Sequence, residues 1–210
     1  MAFYAKTHAM TYRPLIGGIG VTAPQVQSAG TLGIIAYDDS GPWIVSNYHV
    51  LCRADLSPFQ EGEPVYQCFI QPGDTPVARL VKGKAFPDLD CAAARAEPGI
   101  DTMPWILELG SIIEYKQPLE GRRVIKSGLA TGVTEGIIRD ITGDVVRIEA
   151  PDNYPARYDL SNIGDSGSVW VDVEWRAAVV LHNRTQDGQS EAAFGYAMPA
   201  VMNALQLKLK

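Results

Sequence analysis

The segment Asn162-Ile163-Gly164-Asp165-Ser166-Gly167-Ser168 sets a serine between two glycines and beside an acid. Far upstream stands Ser46-Asn47-Tyr48-His49, with Asp90 between the two segments. Residues of these types can carry out acyl transfer, the chemistry of a serine hydrolase. An alcohol becomes a useful nucleophile when a base lies within hydrogen-bond reach, a further group holds that base in the right tautomer, and backbone N–H donors wait where the oxyanion forms. Gly164 suits the last need, because glycine takes conformations barred to other residues, so its N–H and that of Ser166 can converge on one point. Asp165, taken alone, reads as a turn aspartate bonding its own backbone.

The base follows by elimination among the three histidines, His8, His49 and His182. His8 sits in a polar N-terminal stretch and is expected to be solvated. His182 follows the apolar run Ala177-Ala178-Val179-Val180-Leu181 and is expected to line a substrate cleft. His49 comes just after the strand-like Trp43-Ile44-Val45-Ser46, where a buried strand turns back to the surface, and is the expected base.

The elements that must position these groups are short and numerous. Gly 20 and Pro 14 are spread along 210 residues instead of being gathered in a linker, the pattern of many strands joined by turns. An all-β protein is expected, with strands over residues 31–36, 42–45, 64–69, 77–82, 91–96, 105–109, 122–126, 136–140, 144–149, 168–173, 177–181 and 192–197. The last segment, 199–209, changes period. Pro199 suits a first helical turn, and Val201, Met202, Leu205 and Leu209 fall on one side, so a closing helix is expected.

Ile44-Val45-Ser46-Asn47-Tyr48-His49-Val50 resembles the histidine motif of the chymotrypsin-like (trypsin-fold) serine peptidases, and Gly164-Asp165-Ser166-Gly167-Ser168 resembles their Gly-Asp-Ser-Gly motif. Asp88-Leu89-Asp90-Cys91-Ala92-Ala93-Ala94 resembles the segment bearing the family's acid. Gly30-Thr31-Leu32-Gly33 and Ser127-Gly128-Leu129-Ala130-Thr131-Gly132-Val133-Thr134 are lesser echoes, similar to pieces of non-secreted bacterial and plant members. The matches span residues 30 to 205. Where the family commonly has Thr-Ala-Ala before its histidine, this chain has Ser46-Asn47-Tyr48.

The resemblance implies two six-stranded antiparallel Greek-key barrels with a C-terminal helix. It divides the chain into an N-terminal segment 1–29, a first barrel 30–113, a connector 114–121, and a second barrel with the helix, 122–210. His49 and Asp90 then belong to the first barrel and Ser166 to the second, so the site forms where the barrels meet. The implied triad is His49, Asp90 and Ser166, with Asp88 as the other candidate acid, and Gly164 and Ser166 supply the oxyanion hole. The residue six before the nucleophile, Leu160, would floor the primary pocket. Leu181, His182 and Asn183 would run beside the substrate backbone, and Gly195 would leave a pocket wall open. With no acid at that floor, unless Asp159 takes the place, a small to medium uncharged side chain is expected.

Composition bounds the rest. The net charge of -6 argues against a nucleic-acid partner. No apolar stretch approaches a membrane span and no leader is visible, so a cytoplasmic protein without a membrane partner is expected. Cys52, Cys68 and Cys91 lack metal-ligand spacing and read as buried small hydrophobes. No metal or cofactor is expected; the partner is a polypeptide substrate, and any regulatory partner is unknown. The function that follows is a serine endopeptidase. Its rivals are a catalytically silent protein of the same fold that binds a peptide or partner, and an esterase of unrelated α/β fold, which would require its histidine last in order.

Overall fold

Alternation along three adjacent strands divides the first half of the molecule into two cores. In β4 (Ile34–Asp38), β5 (Gly41–Ser46) and β8 (Cys91–Ala96), the residues Ile34, Ala36, Trp43, Val45, Cys91 and Ala93 face one apolar cluster. Their neighbours Ile35, Tyr37, Ile44, Ala92 and Ala94 face another. Successive side chains of a strand point to opposite faces, so a strand buried on both sides reads as a continuous apolar run. The computed structural model describes residues 6–26, 28–87, 89–155, 158–186 and 189–210.

The three strands belong to a seven-stranded sheet completed by β2 (Gly20–Thr22), β3 (Ala29–Thr31), β6 (Pro64–Gln67) and β7 (Ala78–Lys84), in the order β3-β2-β6-β7-β8-β5-β4. This sheet curls around its own core as an open half-barrel. Beside it, β1 (Leu15–Gly17) pairs in parallel with β9 (Thr102–Ile106), which also pairs with β10 (Gly110–Ser111). The first half is thus built from a seven-stranded and a three-stranded sheet, where a six-stranded barrel was expected. Residues 15–22, expected to lie in a strandless N-terminal segment, supply β1 and β2. The strand expected over 105–109 begins earlier, and Glu108 at φ 65 turns the chain away before it could continue.

The second half is a closed six-stranded barrel of β11 (Arg123–Gly128), β12 (Gly132–Thr142), β13 (Val145–Glu149), β14 (Val169–Asp172), β15 (Ala178–Gln186) and β16 (Gln189–Ala197), in the order β11-β12-β13-β16-β15-β14. Its interior is filled by Val124, Ile138, Ile148, Leu160, Trp170 and Val179, among others. The cluster that receives Trp43 and Val45 from the first half also receives Val169, Val171 and Leu181 from the second, so the halves share one apolar interface. The all-β, two-barrel architecture is the one expected.

Helix α2 (Met198–Leu205) closes that interface. Pro199 stands in its first turn, and Met198, Val201, Met202 and Leu205 are its buried face. It ends before residue 209 because Gln206 adopts a left-handed conformation (φ 53, ψ 50). Beyond it, Tyr37 and Lys208 exchange backbone hydrogen bonds of 2.8 and 2.9 Å, so the chain leaves the helix for the edge of β4.

Gly33 sits where the halves touch: a Cβ there would lie 2.2 Å from the Gly167 carbonyl oxygen and 3.2 Å from that of Val45. Gly33→Ala is expected to destabilise the fold by about 1–3 kcal/mol, the usual cost of overpacking. Urea unfolding checks it, through a lowered midpoint at unchanged slope.

Candidate active site

His49 is the second residue of a four-residue helix, α1 (Tyr48–Leu51), that begins one residue after β5 ends. Burial of Trp43, Ile44 and Val45 anchors the strand, and the helix turns the imidazole out of the core. The intervening Asn47 is fully buried and donates from Nδ2 to the Asp90 carbonyl oxygen at 2.8 Å, tying the turn to the start of β8. Asp90 answers with both carboxylate oxygens: Oδ1 accepts from the His49 backbone N–H at 3.1 Å and Oδ2 lies 2.5 Å from His49 Nδ1. With Nδ1 donating to the carboxylate, Nε2 is the free basic nitrogen. The Asp90 side chain is 6% exposed and that of His49 28%, so the acid is sealed and the base open to the cleft. Asp88, the other candidate acid, lies outside the described residues.

Ser166 belongs to the second half and is tied to that cleft through Asn183. Its hydroxyl donates to the Asn183 carbonyl oxygen at 2.8 Å, and Asn183 and His49 line one cavity of about 420 Å³. The backbone of the surrounding loop is almost fully committed. The N–H groups of Asn162, Ile163 and Asp165 bond within the loop, that of Gly167 goes to the His182 carbonyl, and that of Ser168 to the Asp165 carbonyl. Among the described residues, only Gly164 and Ser166 in the run 162–168 are left without a partner for their N–H. Gly164 has φ 111 and Gly167 φ 92, conformations that favour glycine. These are the two donors expected to form the oxyanion hole.

Asp165 is no ordinary turn aspartate. It is fully buried, and five donors converge on it. Oδ1 accepts from the N–H groups of Ala130 at 2.8 Å and Thr131 at 3.1 Å. Oδ2 accepts from Lys126 Nζ at 3.0 Å, the Thr131 hydroxyl at 2.7 Å and the Asn162 N–H at 3.0 Å. Burial opposes the charge on Asp165, but the Lys126 ammonium and the Thr131 hydroxyl outweigh it and hold the carboxyl below the usual carboxylate range. Gly128 makes room, since a Cβ there would lie 2.5 Å from Asp165 Oδ1. Lys126, itself fully buried, was missed by the sequence reading. Its one signal was a lysine directly after the apolar pair Val124-Ile125 and just before Ser127-Gly128.

No family model and no curated protein matches the chain. Solved structures do. A glutamic acid specific serine protease that utilizes a novel histidine triad in substrate binding superimposes with a TM-score of 0.72 at 18% identity, over 93% of this chain and 100% of that one. Protease A of Thermobifida fusca gives 0.70 at 18% identity, over 92% and 97%. An alpha-lytic protease homolog, N4, gives 0.69 at 16%, over 93% and 99%. The fold is that of the chymotrypsin-like serine proteases.

Within this chymotrypsin-like fold the expected substrate-binding residues separate. Asn183 and Gly195 line the cavity with His49, together with Arg184, whose guanidinium stands 5.0 Å over the Phe194 ring. Leu160 and Leu181 do not line it. Leu160 packs inside the second barrel and Leu181 in the interface between the halves, both fully buried, because each sits at an inward register of its segment. Asp159, the fallback for a basic pocket, is exposed. Among the described residues lining the cavity the sole acid is Asp90, already engaged by His49. The three cysteines are free and buried, as expected, and burial pushes the thiols of Cys68 and Cys91 up to about 11 and about 12. Among the described residues no helix is long and apolar enough to cross a membrane.

The other two histidines are buried rather than solvated or cleft-lining. His8 is 1% exposed and shares a 2.8 Å hydrogen bond between its Nε2 and the Ser127 hydroxyl, because the N-terminal segment folds across the first residues of the second half. His182 is equally buried, and its Nδ1 accepts from Trp170 Nε1 at 3.4 Å. Burial, helped by the Lys126 ammonium and opposed by Asp165, lowers the His182 pKa from 6.5 to about 3. The native state therefore holds this ring neutral where the unfolded chain takes up a proton. Its contribution to stability is intact above about pH 6.5 and is lost progressively as pH falls toward 3. Acidification from about pH 7.5 to about pH 5 is expected to cost about 2 kcal/mol through this group. Urea midpoints across that range measure it, and His182→Gln is expected to flatten the dependence.

Proposed function

We propose that the chain is a serine endopeptidase that hydrolyses polypeptides through an acyl-enzyme. The observation that carries this reading is the pattern of free groups: an imidazole with Nδ1 bound to a buried carboxylate, facing a loop whose two unpaired N–H groups flank a serine. For reaction the Ser166 hydroxyl exchanges the Asn183 carbonyl for Nε2 of His49. Oγ attacks the substrate carbonyl carbon as its proton passes to Nε2, while Gly164 and Ser166 receive the oxyanion and Asp90 stabilises the imidazolium. His49 then protonates the leaving amine. Water, deprotonated by the same imidazole, hydrolyses the ester and frees Ser166. Three buried free thiols, in place of the disulfides common in extracellular proteins, support narrow-specificity processing inside the cell.

The substrate lies extended in the cleft between the halves. A cationic side chain on the N-terminal side of the cut bond would find Asp90 already paired and Arg184 beside it, and an unpaired buried charge costs several kcal/mol. Uncharged side chains are therefore preferred and basic ones rejected. An acidic side chain, the kind for which the first of the structural relatives is specific, is tolerated here. That relative uses three histidines to bind substrate, whereas this chain has three in all and uses His49 as the base.

A fluorophosphonate probe is expected to label the protein at Ser166, as located by mass mapping. Ser166→Ala abolishes labelling and lowers turnover by on the order of 10⁶. Asp90→Asn costs on the order of 10⁴ with the fold intact, since the amide favours the wrong tautomer. A parent protein that neither labels nor cleaves would establish the alternative, a silent protein of this fold that binds a peptide.

A peptide-library digest read by mass spectrometry tests the substrate preference. Depletion of Lys and Arg immediately before the cut is the expected outcome, and strong selection for either would overturn the assignment.

A further inference from the structure

Thr31 is fully buried at the end of β3, and each of its polar groups meets a segment of the active site. Its hydroxyl donates to the Gly164 carbonyl oxygen at 2.8 Å and accepts from the Leu129 N–H at 3.0 Å. Its own N–H donates to the Ser166 carbonyl oxygen at 2.8 Å. Its carbonyl oxygen accepts from the Ser46 hydroxyl at 2.7 Å, one residue before Asn47, which holds the Asp90 backbone. The approach is too close for other residues to intervene. A Cβ on Gly167 would lie 2.3 Å from the Thr31 carbonyl oxygen, and one on Gly30 would lie 3.1 Å from that of Ser166.

We propose that Thr31 is a positioning residue for the oxyanion hole. The N–H groups of Gly164 and Ser166 lie in the peptide units 163–164 and 165–166, and their aim depends on how the units that follow each of them, 164–165 and 166–167, are held. Asp165 fixes the loop to the second half through its side chain, but a side chain does not by itself set the orientation of the neighbouring carbonyls. Thr31 does, by donating from the first half to the carbonyls of Gly164 and Ser166, which fixes the peptide unit immediately after each of the two N–H donors. Its hydroxyl sits between Gly164 and Leu129, and Leu129 directly precedes the Ala130 and Thr131 N–H groups that hold Asp165. Through its hydroxyl and its backbone, one residue thereby joins the oxyanion loop, its anchor and the histidine-bearing strand. Donors that stabilise a transition state contribute through preorganisation, so a small misplacement is read mainly in kcat.

This inference rests on Ser166 being the nucleophile, and the experiment separates the two ideas. Steady-state kinetics on a peptide substrate and the rate of fluorophosphonate labelling are compared for the parent, Thr31→Val, Thr31→Ser and Thr31→Cys, with circular dichroism as a check of fold. A parent without either activity sinks the peptidase reading itself. With an active parent, Thr31→Val, nearly the same shape without the hydroxyl, is expected to lose about 10- to 100-fold in kcat and in labelling rate, with KM within about twofold. Thr31→Ser restores both rates to within about threefold of the parent. An unchanged kcat in Thr31→Val, a loss confined to KM, or failure of Thr31→Ser to rescue would overturn the proposal. If Thr31→Val does not fold, the expected order is parent and Thr31→Ser above Thr31→Cys, because a thiol is the weaker donor; equal rates for Ser and Cys would overturn it.

Discussion

The buried contact between Asp165 and Lys126 is the constraint around which the loop 162–168 is organised. Two charges removed from water repay their desolvation only when the geometry is close and the remaining lone pairs are satisfied. Here both conditions hold. The carboxylate takes five hydrogen bonds, and the ammonium also donates to the Thr131 hydroxyl at 2.8 Å and stands 5.5 Å over the Trp170 ring. Loss of either charge would strand the other in the core. The residue immediately before Ser166 therefore cannot move without a large penalty, and its rigidity is passed along the chain to Ser166.

A loop fixed from one side could still pivot, and the two-barrel architecture removes that freedom. The apolar interface shared by Trp43, Val45, Val169, Leu181 and Val201 holds the halves in one register. Across it, β3 lays its backbone against Ser166 and Gly167 at distances only glycine permits. The closing helix adds Met198, Met202 and Leu205 to the same core, so the last residues of the chain stabilise a site to which they contribute no reacting group. Apolar packing sets the distance between halves, and the polar contacts at its edge set orientation.

The electrostatics of the cleft follow from the same economy of charge. Among the described residues the buried acids near the site are committed, Asp90 to His49 and Asp165 to Lys126, and burial lowers the pKa of both remaining histidines. An incoming side chain meets apolar surface, a neutral amide and Arg184.

The sequence by itself determined the parts of this protein whose chemistry is local. Gly164-Asp165-Ser166-Gly167 carries its function in the order of its residues, because only a glycine can free one N–H and leave space beside the serine. The apolar run 43–45 followed at once by a polar turn places His49 at a surface, and the strand-rich pattern with a proline-led last helix follows from periods of two and 3.6. Leu160 shows what a count of residues back from Ser166 leaves open: its burial inside the second barrel is set by the fold. Only the tertiary structure could pair Thr31 with Gly164 across 133 positions, His8 with Ser127 across 119, or Lys126 with Asp165 across 39. A threonine ending a strand, a histidine in a polar stretch and a lysine within a mixed strand are ordinary residues in sequence. They gain their roles when burial removes water as a partner and leaves one another as the sole means of satisfying their hydrogen bonds.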